Sequence, residues 1–463
     1  MKRLRHLAWA LLAGSCSVAG QSSAPTEATR LLQARSAEFD RVVLQVADNV
    51  YVADGYGVSP ITMVVGQDGY FIVDAGVDPG LSRLARAEFE QRTHLPLQAV
   101  LFTHGHHDHV AGASAFVAPG EPVDVWAAGS FGAEDRWQDE AGLRIQHVRG
   151  RRQSGVTLPA AKRINNGIAP AFVPQRAPAP GQAAEPVRPG KLVEGPTEIE
   201  IAGVKVHLSL SPGETEDSMT VWLPQQRVAF AGDNFYKSWP NLYAIRGTGY
   251  RDVLAWIRSI DAIRAMKPRV LIGGHTKPIV GESEVDTVLG NYSRAIRHVF
   301  DETIKGMNAG RTADELASSI RLPPDLAELD YLRPYYGHPE WAVRSIFGAY
   351  LGWFDGNPTN LFRLPPVEEA RRVVALAGGT SAVEAAANKA IAEGDTQWGL
   401  QLLDRLLALE PDDRALRQRK AAALEAIAEG TLTATARNYF LSYAQELRGD
   451  TLAPGAVPAQ SRR

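Results

Sequence analysis

The sequence predicts an α/β sandwich followed by an all-α helical region, and two patterns carry this prediction. Between residues 41 and 287, short apolar runs alternate with turns, as in "ITMVVGQDGYFIVDAG" and "MTVWLPQQRVAFAGDN". After residue 288 the strand pattern stops, and apolar residues recur at the spacing of helical faces. The chain has 463 residues, 45% hydrophobic and 22% charged, which is typical of a folded protein with two or three domains.

The first 20 residues are predicted to be a secretory signal peptide. Lys2, Arg3 and Arg5 precede the short apolar run "HLAWALLAG", and "SVAG" offers small residues for cleavage. We therefore expect an exported protein, periplasmic or secreted, without a transmembrane span in its mature chain. The only cysteine is Cys16. Because "LLAGSC" resembles a bacterial lipobox, a lipid anchor through Cys16 is the alternative.

The rest of the chain divides into four predicted segments. Residues 21–40 are expected to be a linker, 41–287 the α/β domain, 288–450 the helical domain and 451–463 a flexible tail. In the α/β domain, "VGQDG" predicts a hairpin turn and "PGLSRLARAEFEQRT" a helix. A Pro-, Gly- and Ala-rich stretch at 150–195 interrupts this domain, which indicates either a disordered insertion or a functional lid.

The charge balance gives no sign of a nucleic-acid partner. The chain has 49 basic and 52 acidic residues, for a formal net charge of −3. A nucleic-acid-binding domain usually carries a basic surplus. A small-molecule partner is therefore the better expectation.

A dense histidine motif, "THGHHDHVAG" at residues 103–112, predicts a metal site. His104, His106, Asp108 and His109 form the pattern H-x-H-x-D-H directly after a predicted strand. Imidazole nitrogen and carboxylate oxygen are ligands that zinc accepts. A turn that leaves a strand can direct these side chains to two points, so two metals a few ångströms apart are expected. The alternative is a solvated, histidine-rich loop.

The other histidines show no ligand pattern. His107 occupies a spacer position in the motif and is predicted to point away from the metals. Five more are expected to be ordinary core or surface residues: His94, His147, His207, His298 and His338.

The histidine motif resembles that of the metallo-β-lactamase superfamily. This resemblance implies an αββα sandwich with two Zn²⁺ ions per subunit. It assigns to one zinc the ligands His104, His106 and Glu214. It assigns to the other zinc Asp108, His109 and His275, with Asp233 as the bridging ligand. Asp74 in "FIVDAG" would support the site from behind, and Glu216 is the alternative to Glu214.

Glu214 stands where the superfamily usually carries histidine, and this adds a negative charge. Two zinc ions bring +4, three carboxylates bring −3, and a bridging hydroxide makes the cluster formally neutral. Such a site needs an added cation to hold an anionic substrate. "SPGETEDSM", "AGDN" and "PNLYAIRG" together resemble the bacterial alkylsulfatases, or type III sulfatases. The resemblance implies that Asn241 and Arg246 bind sulfate, and Arg246 would be the required cation.

The resemblance continues into the helical half. The stretch at 335–366, which contains "GWFDGNP", and "ARNYFLSYAQELRG" at 436–449 look like the alkylsulfatase dimerisation domain. They imply a homodimer. The chain stops before the sterol-carrier-like domain that long members of the family carry, so the preferred ester is expected to be smaller than a long alkyl sulfate or differently shaped.

The implied function is zinc-dependent hydrolysis of an organic sulfate ester to an alcohol and inorganic sulfate, with Asp108, Arg246 and Asn241 as catalytic residues. Tyr243 and Tyr336, with two further aromatic residues, Tyr335 and Trp341, either line a pocket for the apolar tail or pack between helices.

Two other functions stay open from the sequence. One is hydrolysis of another ester, a lactone, a β-lactam or a phosphoester. The other is a dimeric helical scaffold with a structural metal. Aspartate at 233 instead of the family's glutamate, the absence of histidines in "FYKSWPNLY" and of an aromatic residue at 151–159 put the substrate in question.

Overall fold

Two β-sheets stack face to face in the N-terminal half of the computed structural model, which describes residues 24–171 and 186–449. The first sheet runs in chain order: β1 Val42–Ala47, β2 Val50–Asp54, β3 Ile61–Val65, β4 Tyr70–Val73, β5 Leu97–Leu101, β6 Asp124–Ala128 and β7 Lys191–Val193. The second sheet also keeps chain order: β8 Thr197–Ile201, β9 Val204–Leu210, β10 Met219–Leu223, β11 Val228–Gly232, β12 Val270–Gly273 and β13 Ile279–Val280.

Helices cover the outer faces of both sheets, which confirms the predicted αββα sandwich. The helices of this half are α1 Glu27–Arg35, α2 Pro79–Glu90, α3 His107–Val110, α4 Ala133–Glu140, α5 Ile145–Ser154 and α6 Val253–Ala265. The inner faces of the sheets share one core that includes Val52, Phe71 and Phe230. Phe89 of α2 belongs to the core on the outside of the first sheet, and Trp256 of α6 to the core on the outside of the second.

The parallel strand pairs lie where the predicted ligands begin. β4, β5 and β6 pair in parallel in the first sheet, and β11 and β12 do so in the second. Their carboxyl ends lead into Asp74, His104, Asp233 and His275. Ligand sites of open α/β sheets lie outside the carboxyl ends of parallel strands. The fold therefore brings distant parts of the sequence to one edge.

The helical half does not begin at residue 288 as predicted, because that position lies inside one continuous helix. The remaining helices are α7 Glu282–Asn308, α8 Ala313–Ser319, α9 Pro324–Ala327, α10 Pro339–Leu351, α11 Pro366–Leu376, α12 Thr380–Ala392, α13 Thr396–Leu409, α14 Arg414–Glu429 and α15 Ala434–Arg448. Val285 and Tyr292 of α7, Leu271 of β12 and Ile346 of α10 share one buried core. Helix α7 thus packs against β12 and β13, and α10 packs against α7 and α8 within the same core. The helices from α11 onward form separate cores.

Residues 21–40 were predicted to be a linker, and the described part of them is folded instead. Thr26 caps α1, and Leu32 is fully buried against Tyr335 and Ala434. The Arg35 guanidinium lies 3.9 Å from the centre of the Tyr335 ring and donates to the Gly167 carbonyl at 2.5 Å. This segment therefore packs against residues of both halves. A nine-residue helix such as α1 is too short for its apolar periodicity to be recognised in the sequence.

Helix α5 connects the α/β half to the last helix, α15, through side-chain contacts. Arg152 of α5 binds the Glu446 carboxylate of α15 through two hydrogen bonds, at 2.8 and 2.6 Å. Asn438 donates to the backbone carbonyl of Gln153 at 3.3 Å. The first part of the predicted insertion at 150–195 is thus helical and anchored, while its Pro-rich part, 172–185, lies outside the described residues.

The predicted signal peptide, Cys16 and the predicted tail also lie outside the described residues. Within 24–171 and 186–449, no helix has both the length and the apolar character needed to cross a bilayer.

Candidate metal centre and its arginine neighbours

Seven ionisable side chains meet at the shared strand edge. They form two groups whose potential ligand atoms lie within 4.8 Å of one another: His104, His106, Glu214 and Asp233 in the first, and Asp108, His109 and His275 in the second. All seven were predicted as ligands, and the grouping matches the one that the resemblance implied. Glu216, the alternative to Glu214, is exposed and lies outside both groups, whereas Glu214 is 3% exposed.

Asp233 lies between the two groups. Its carboxylate oxygens lie 3.1 Å from His109 Nε2 and 3.2 Å from His275 Nε2, and 3.7 Å from His104 Nε2. The backbone makes room for this carboxylate at Gly274, where an added Cβ would lie only 1.8 Å from Asp233 Oδ1. A carboxylate in contact with both groups is placed to bridge two cations.

Hydrogen bonds at the rear fix the imidazoles. His275 Nδ1 lies 2.8 Å from the Val58 carbonyl oxygen, which can only accept a hydrogen bond, so Nδ1 carries a proton. The other ring nitrogen, Nε2, faces Asp233. His109 Nδ1 lies 2.7 Å from Asp74 Oδ2 in the same way. Asp74 also accepts from the Thr103 backbone N–H and hydroxyl, both at 2.8 Å, and has a left-handed φ of 57°. The predicted supporting role of Asp74 thus has a geometric basis.

Burial and mutual charge shift the acid–base behaviour of the cluster. Burial lowers the pKa of His104 well below its ordinary value. Burial raises the pKa of Glu214 to about 8, despite the opposing charge of Arg251. For Asp233 burial acts upward, but the three facing imidazoles outweigh it and hold the pKa of this carboxyl well below its ordinary value. The cluster therefore carries strongly interacting charges in a largely buried site.

Three buried polar atoms of the cluster make no well-aligned hydrogen bond among the described residues: His109 Nε2 and Asp233 Oδ1, which face each other at 3.1 Å, and Glu214 Oε2. Buried polar atoms in folded proteins are nearly always partnered. Their nitrogen and oxygen chemistry, and the fixed tautomers behind them, suit a divalent metal of the zinc type. The residues present therefore fit a metal centre.

Arg246, the predicted sulfate-binding residue, lies beside the first group. Its Nη2 is 3.4 Å from His106 Nε2 and donates to Glu134 Oε1 at 3.1 Å. Its backbone N–H donates to Gln153 Oε1 of α5 at 3.0 Å. Burial acts against the charge of Glu134, but the hydrogen bond from His106 and the charge of Arg251 hold its pKa at about 2. Glu134 therefore fixes one edge of the guanidinium.

Arg251 is the buried cation that contacts the predicted ligand Glu214, a contact the sequence predicted for no residue. It is 4% exposed, its Nη1 donates to Glu214 Oε1, and the same nitrogen donates to the Asn241 carbonyl at 2.7 Å. The charge count called for one cation to hold the substrate, and Arg246 was predicted for it; Arg251 is a second cation, next to Glu214. Neither Glu134 nor Arg251 stands in a recognisable ligand motif, and no pattern in the sequence pointed to them.

Asn241, the second predicted sulfate-binding residue, is 3% exposed, and its backbone is held on both sides. The Asn241 N–H donates to the Tyr236 hydroxyl at 2.7 Å, and its carbonyl accepts from Arg251. The loop also packs against Gly337 of the helical half, where an added Cβ would lie 2.3 Å from the Pro240 oxygen. Only glycine allows this approach.

The four predicted aromatic residues separate into two kinds. The Tyr336 ring is half-buried and lies 6.1 Å from the Tyr236 ring; burial and the Glu214 carboxylate raise the pKa of its hydroxyl. Tyr243 is half-buried in the same loop as Asn241. Tyr335 is 2% exposed and donates its hydroxyl to Asp330, so it packs instead of lining a pocket. Trp341 packs 5.6 Å from the His338 ring on α10.

The remaining histidines behave as predicted. His107 is exposed and points away from the cluster. His338 caps α10 by accepting from the Glu340 N–H at 3.3 Å. None of the five histidines expected to be ordinary belongs to either ligand group of the described chain.

The chain resembles two families in adjoining parts. Residues 54–275 match the metallo-beta-lactamase superfamily, and residues 312–450 match the family described as alkyl sulfatase dimerisation. A linear primary-alkylsulfatase of Pseudomonas sp. is 33% identical over 395 residues, which cover 84% of this chain and 74% of the relative. An alkyl/aryl-sulfatase of Saccharomyces cerevisiae is 30% identical over 418 residues, which cover 88% of this chain and 64% of the relative.

A solved structure gives the same picture. The stereoselective inverting sec-alkylsulfatase Pisa1 of Pseudomonas sp. superimposes with a TM-score of 0.84 at 28% identity. The match covers 93% of this chain and 69% of that protein. The two halves described above are therefore shared, in the same order, with a known sulfatase.

Removing divalent metal is expected to destabilise the protein, because the buried carboxylates would lose their counter-charge. A metal present at a thousand times its dissociation constant stabilises the folded state by about 4 kcal/mol. For a chain of this length, that corresponds to a fall in Tm of about 4 °C per metal ion after chelation. Metal content by mass spectrometry and thermal unfolding before and after chelation, with zinc added back, measure this. An unchanged Tm with no metal retained would contradict it.

Proposed function

Because this chain belongs to the alkylsulfatase family of the metallo-β-lactamase superfamily, we propose that it hydrolyses alkyl sulfate esters to an alcohol and inorganic sulfate. The observation that carries the proposal is Arg246, whose guanidinium lies 3.4 Å from a predicted metal ligand, His106. A guanidinium at that position can hold two oxygens of a sulfate group. The ester oxygen would then face the metal centre.

We propose that the seven clustered residues hold two zinc ions, with Asp233 between them. The support is its contacts at 3.1 and 3.2 Å with imidazoles of the second group and its place in the first group. When bound, zinc lowers the pKa of a water molecule toward neutrality and so makes hydroxide available near pH 7.

The residues of the chain would then divide the work. Arg246 and Asn241 would hold the sulfate group and stabilise the charge that grows on it as the ester bond breaks. Asp108 is half-buried at the open side of the second group, with Oδ2 3.7 Å from His275 Nε2. Its carboxylate would orient the attacking water. Tyr336 and Tyr243 would border the apolar part of the ester.

Two bonds of the ester can break. Attack at sulfur breaks the S–O bond, and attack at carbon breaks the C–O bond with inversion, the outcome named for the relative Pisa1. Hydrolysis in ¹⁸O-labelled water separates them, since the label enters sulfate in the first case and the alcohol in the second.

Sulfate release from dodecyl sulfate and from an aryl sulfate is expected with zinc-loaded protein. Arg246→Ala should lower kcat by about 100-fold or more, the usual effect of removing one donor that stabilises developing charge. Ion chromatography of released sulfate measures the reaction. Arg258→Ala, which removes an exposed arginine on α6, is the matched control and should leave the rate unchanged. Turnover of a lactone or phosphodiester, with no sulfate release, would point to another hydrolase of the superfamily.

We propose that the protein forms a homodimer through the segment that follows α10. Three large apolar side chains in it are strongly exposed: Trp353 at 77%, Phe362 at 93% and Leu376 at 91%. Several large apolar side chains left exposed within one segment favour an interaction surface there. It lies within the stretch that matches the alkyl sulfatase dimerisation family, so a second copy of this chain is the fitting partner.

The double variant Trp353→Glu/Phe362→Glu is expected to change a dimer into a monomer, because two charges would be buried without partners. Sedimentation velocity should show the mass falling from about twice to about once that of the chain. Trp137→Glu, the same change on a half-exposed tryptophan of α4, is the control. A dimer that survives the double variant would place the interface elsewhere.

We also propose export through the first 20 residues, with the mature protein periplasmic or secreted. The support is the charged start, the short apolar run and the small residues that follow them. Mass spectrometry of protein recovered from the periplasm should give an N-terminus after Ala19 or Gly20. A lipid-modified Cys16 would support the anchored alternative, and an intact N-terminus in the cytoplasm would contradict both.

A further inference from the structure

Arg251 is a fully buried arginine that the proposed mechanism does not use. Its Nη1 donates both to Glu214 Oε1 and, at 2.7 Å, to the backbone carbonyl of Asn241. The side chains of Arg251 and Glu214 are each 3% exposed. Within the described chain, Nε and Nη2 of Arg251 have no hydrogen-bond partner. A guanidinium is seldom buried this deeply unless it is paired, so the burial of Arg251 indicates a specific role.

The contact with Glu214 divides the two oxygens of the carboxylate. Oε1 is held by Arg251, and Oε2, which is buried, has no hydrogen-bond partner among the described residues. Oε2 is therefore the oxygen left for a cation. The two histidines of this group, His104 and His106, would be neutral ligands, whereas Glu214 would bring a negative charge once a cation is bound. Arg251 offsets that charge at its source, so that the pair is neutral as a unit.

The contact with Asn241 links the same guanidinium to the anion-binding loop. The Asn241 backbone is held by Arg251 at its carbonyl and by the Tyr236 hydroxyl at its N–H. One buried side chain thus touches both a proposed metal ligand and a residue proposed to bind the sulfate group. Loss of Arg251 would disturb the two parts of the site together.

We propose that Arg251 is a positioning residue that presents one oxygen of Glu214 to the metal and fixes the Asn241 loop in register with it. This inference rests on the proposed metal-ligand role of Glu214 and does not depend on which ester is hydrolysed. A supporting residue of this kind typically changes metal affinity by about 10–100-fold when it is lost. Removing one member of a buried ion pair leaves the other charge unpaired, whereas replacing both members together is tolerated.

Four variants test the proposal in the full-length protein. Arg251→Met keeps the volume but removes the charge, Arg251→Lys keeps the charge, Glu214→His supplies a neutral ligand, and Glu214→His/Arg251→Met replaces the pair. The measurements are zinc affinity by competition with a chelating dye, Tm with and without zinc, and KM for dodecyl sulfate. Neither the zinc affinity nor the Tm measurement requires the protein to be active.

Arg251→Met is expected to weaken zinc binding by about 10–100-fold and to lower Tm by about 5 °C or more. Arg251→Lys should lose less of both. Glu214→His/Arg251→Met should bind zinc more tightly, and have a higher Tm, than Arg251→Met alone or Glu214→His alone. Its KM should stay raised because the Asn241 carbonyl no longer has the hydrogen bond from Arg251. Arg258→Met on α6 is the matched control and should behave as the unmodified protein.

Two results would overturn the proposal. If the effects of Glu214→His and Arg251→Met simply add in the double variant, the two residues do not act as a unit. If Arg251→Met is tolerated better than Arg251→Lys, the guanidinium fills space and does not compensate charge. A protein that shows the expected coupling but releases no sulfate would retain this inference and lose the proposed substrate.

Discussion

The structure depends on burying several carboxylates at one point and placing an imidazole or a guanidinium beside each of them. Asp233 is 5% exposed and contacts imidazoles of both ligand groups. Moving such charges out of water costs several kcal/mol per ion unless partners replace the lost hydration. The fold meets this cost by ending parallel strands of two sheets at one edge, so that residues far apart in sequence supply the partners. Gly274 belongs to the same constraint, because any side chain there would displace the Asp233 carboxylate.

The two arginines extend this compensation outward from the metal centre. Arg251 is enclosed and contacts Glu214, whereas the Arg246 side chain is 25% exposed and contacts Glu134. The difference in burial separates their roles. A buried guanidinium committed to Glu214 and Asn241 cannot turn toward a substrate, but the partly exposed one keeps donors that an incoming anion can reach. The site thus combines a fixed charge that supports the ligands with an accessible charge for the ester.

The sequence predicted which ionisable side chains come together because their signal is local, and it missed the neighbours whose contacts arise only from packing. His104, His106, Asp108 and His109 stand within six residues after a strand, and Asp233 and His275 each follow an apolar run, so strand ends alone place them together. Glu134 and Arg251 come from a helix start and a loop with no motif of their own. The boundary at 288 was misplaced because the periodicity shows where strands stop, not which core a helix joins: α7 shares one buried core with β12, α6 and α10. The segment 27–35 was too short to register as a helix although both halves hold it.

The residues proposed to bind the sulfate group depend on the helical half more than the proposed metal ligands do. The loop that carries Asn241 is pinned by the Trp239 N–H to the Arg333 carbonyl at 2.8 Å, and by the close approach at Gly337. Arg246 is held through Gln153 of α5, which in turn is anchored to α15 by Arg152 and Glu446. The proposed metal ligands, in contrast, lie on strand ends, turns and the short helix α3 of the α/β sandwich. The residues proposed to hold the metal are thus all supplied by the α/β sandwich. The positions of the residues proposed to hold the sulfate group depend on contacts from both halves together.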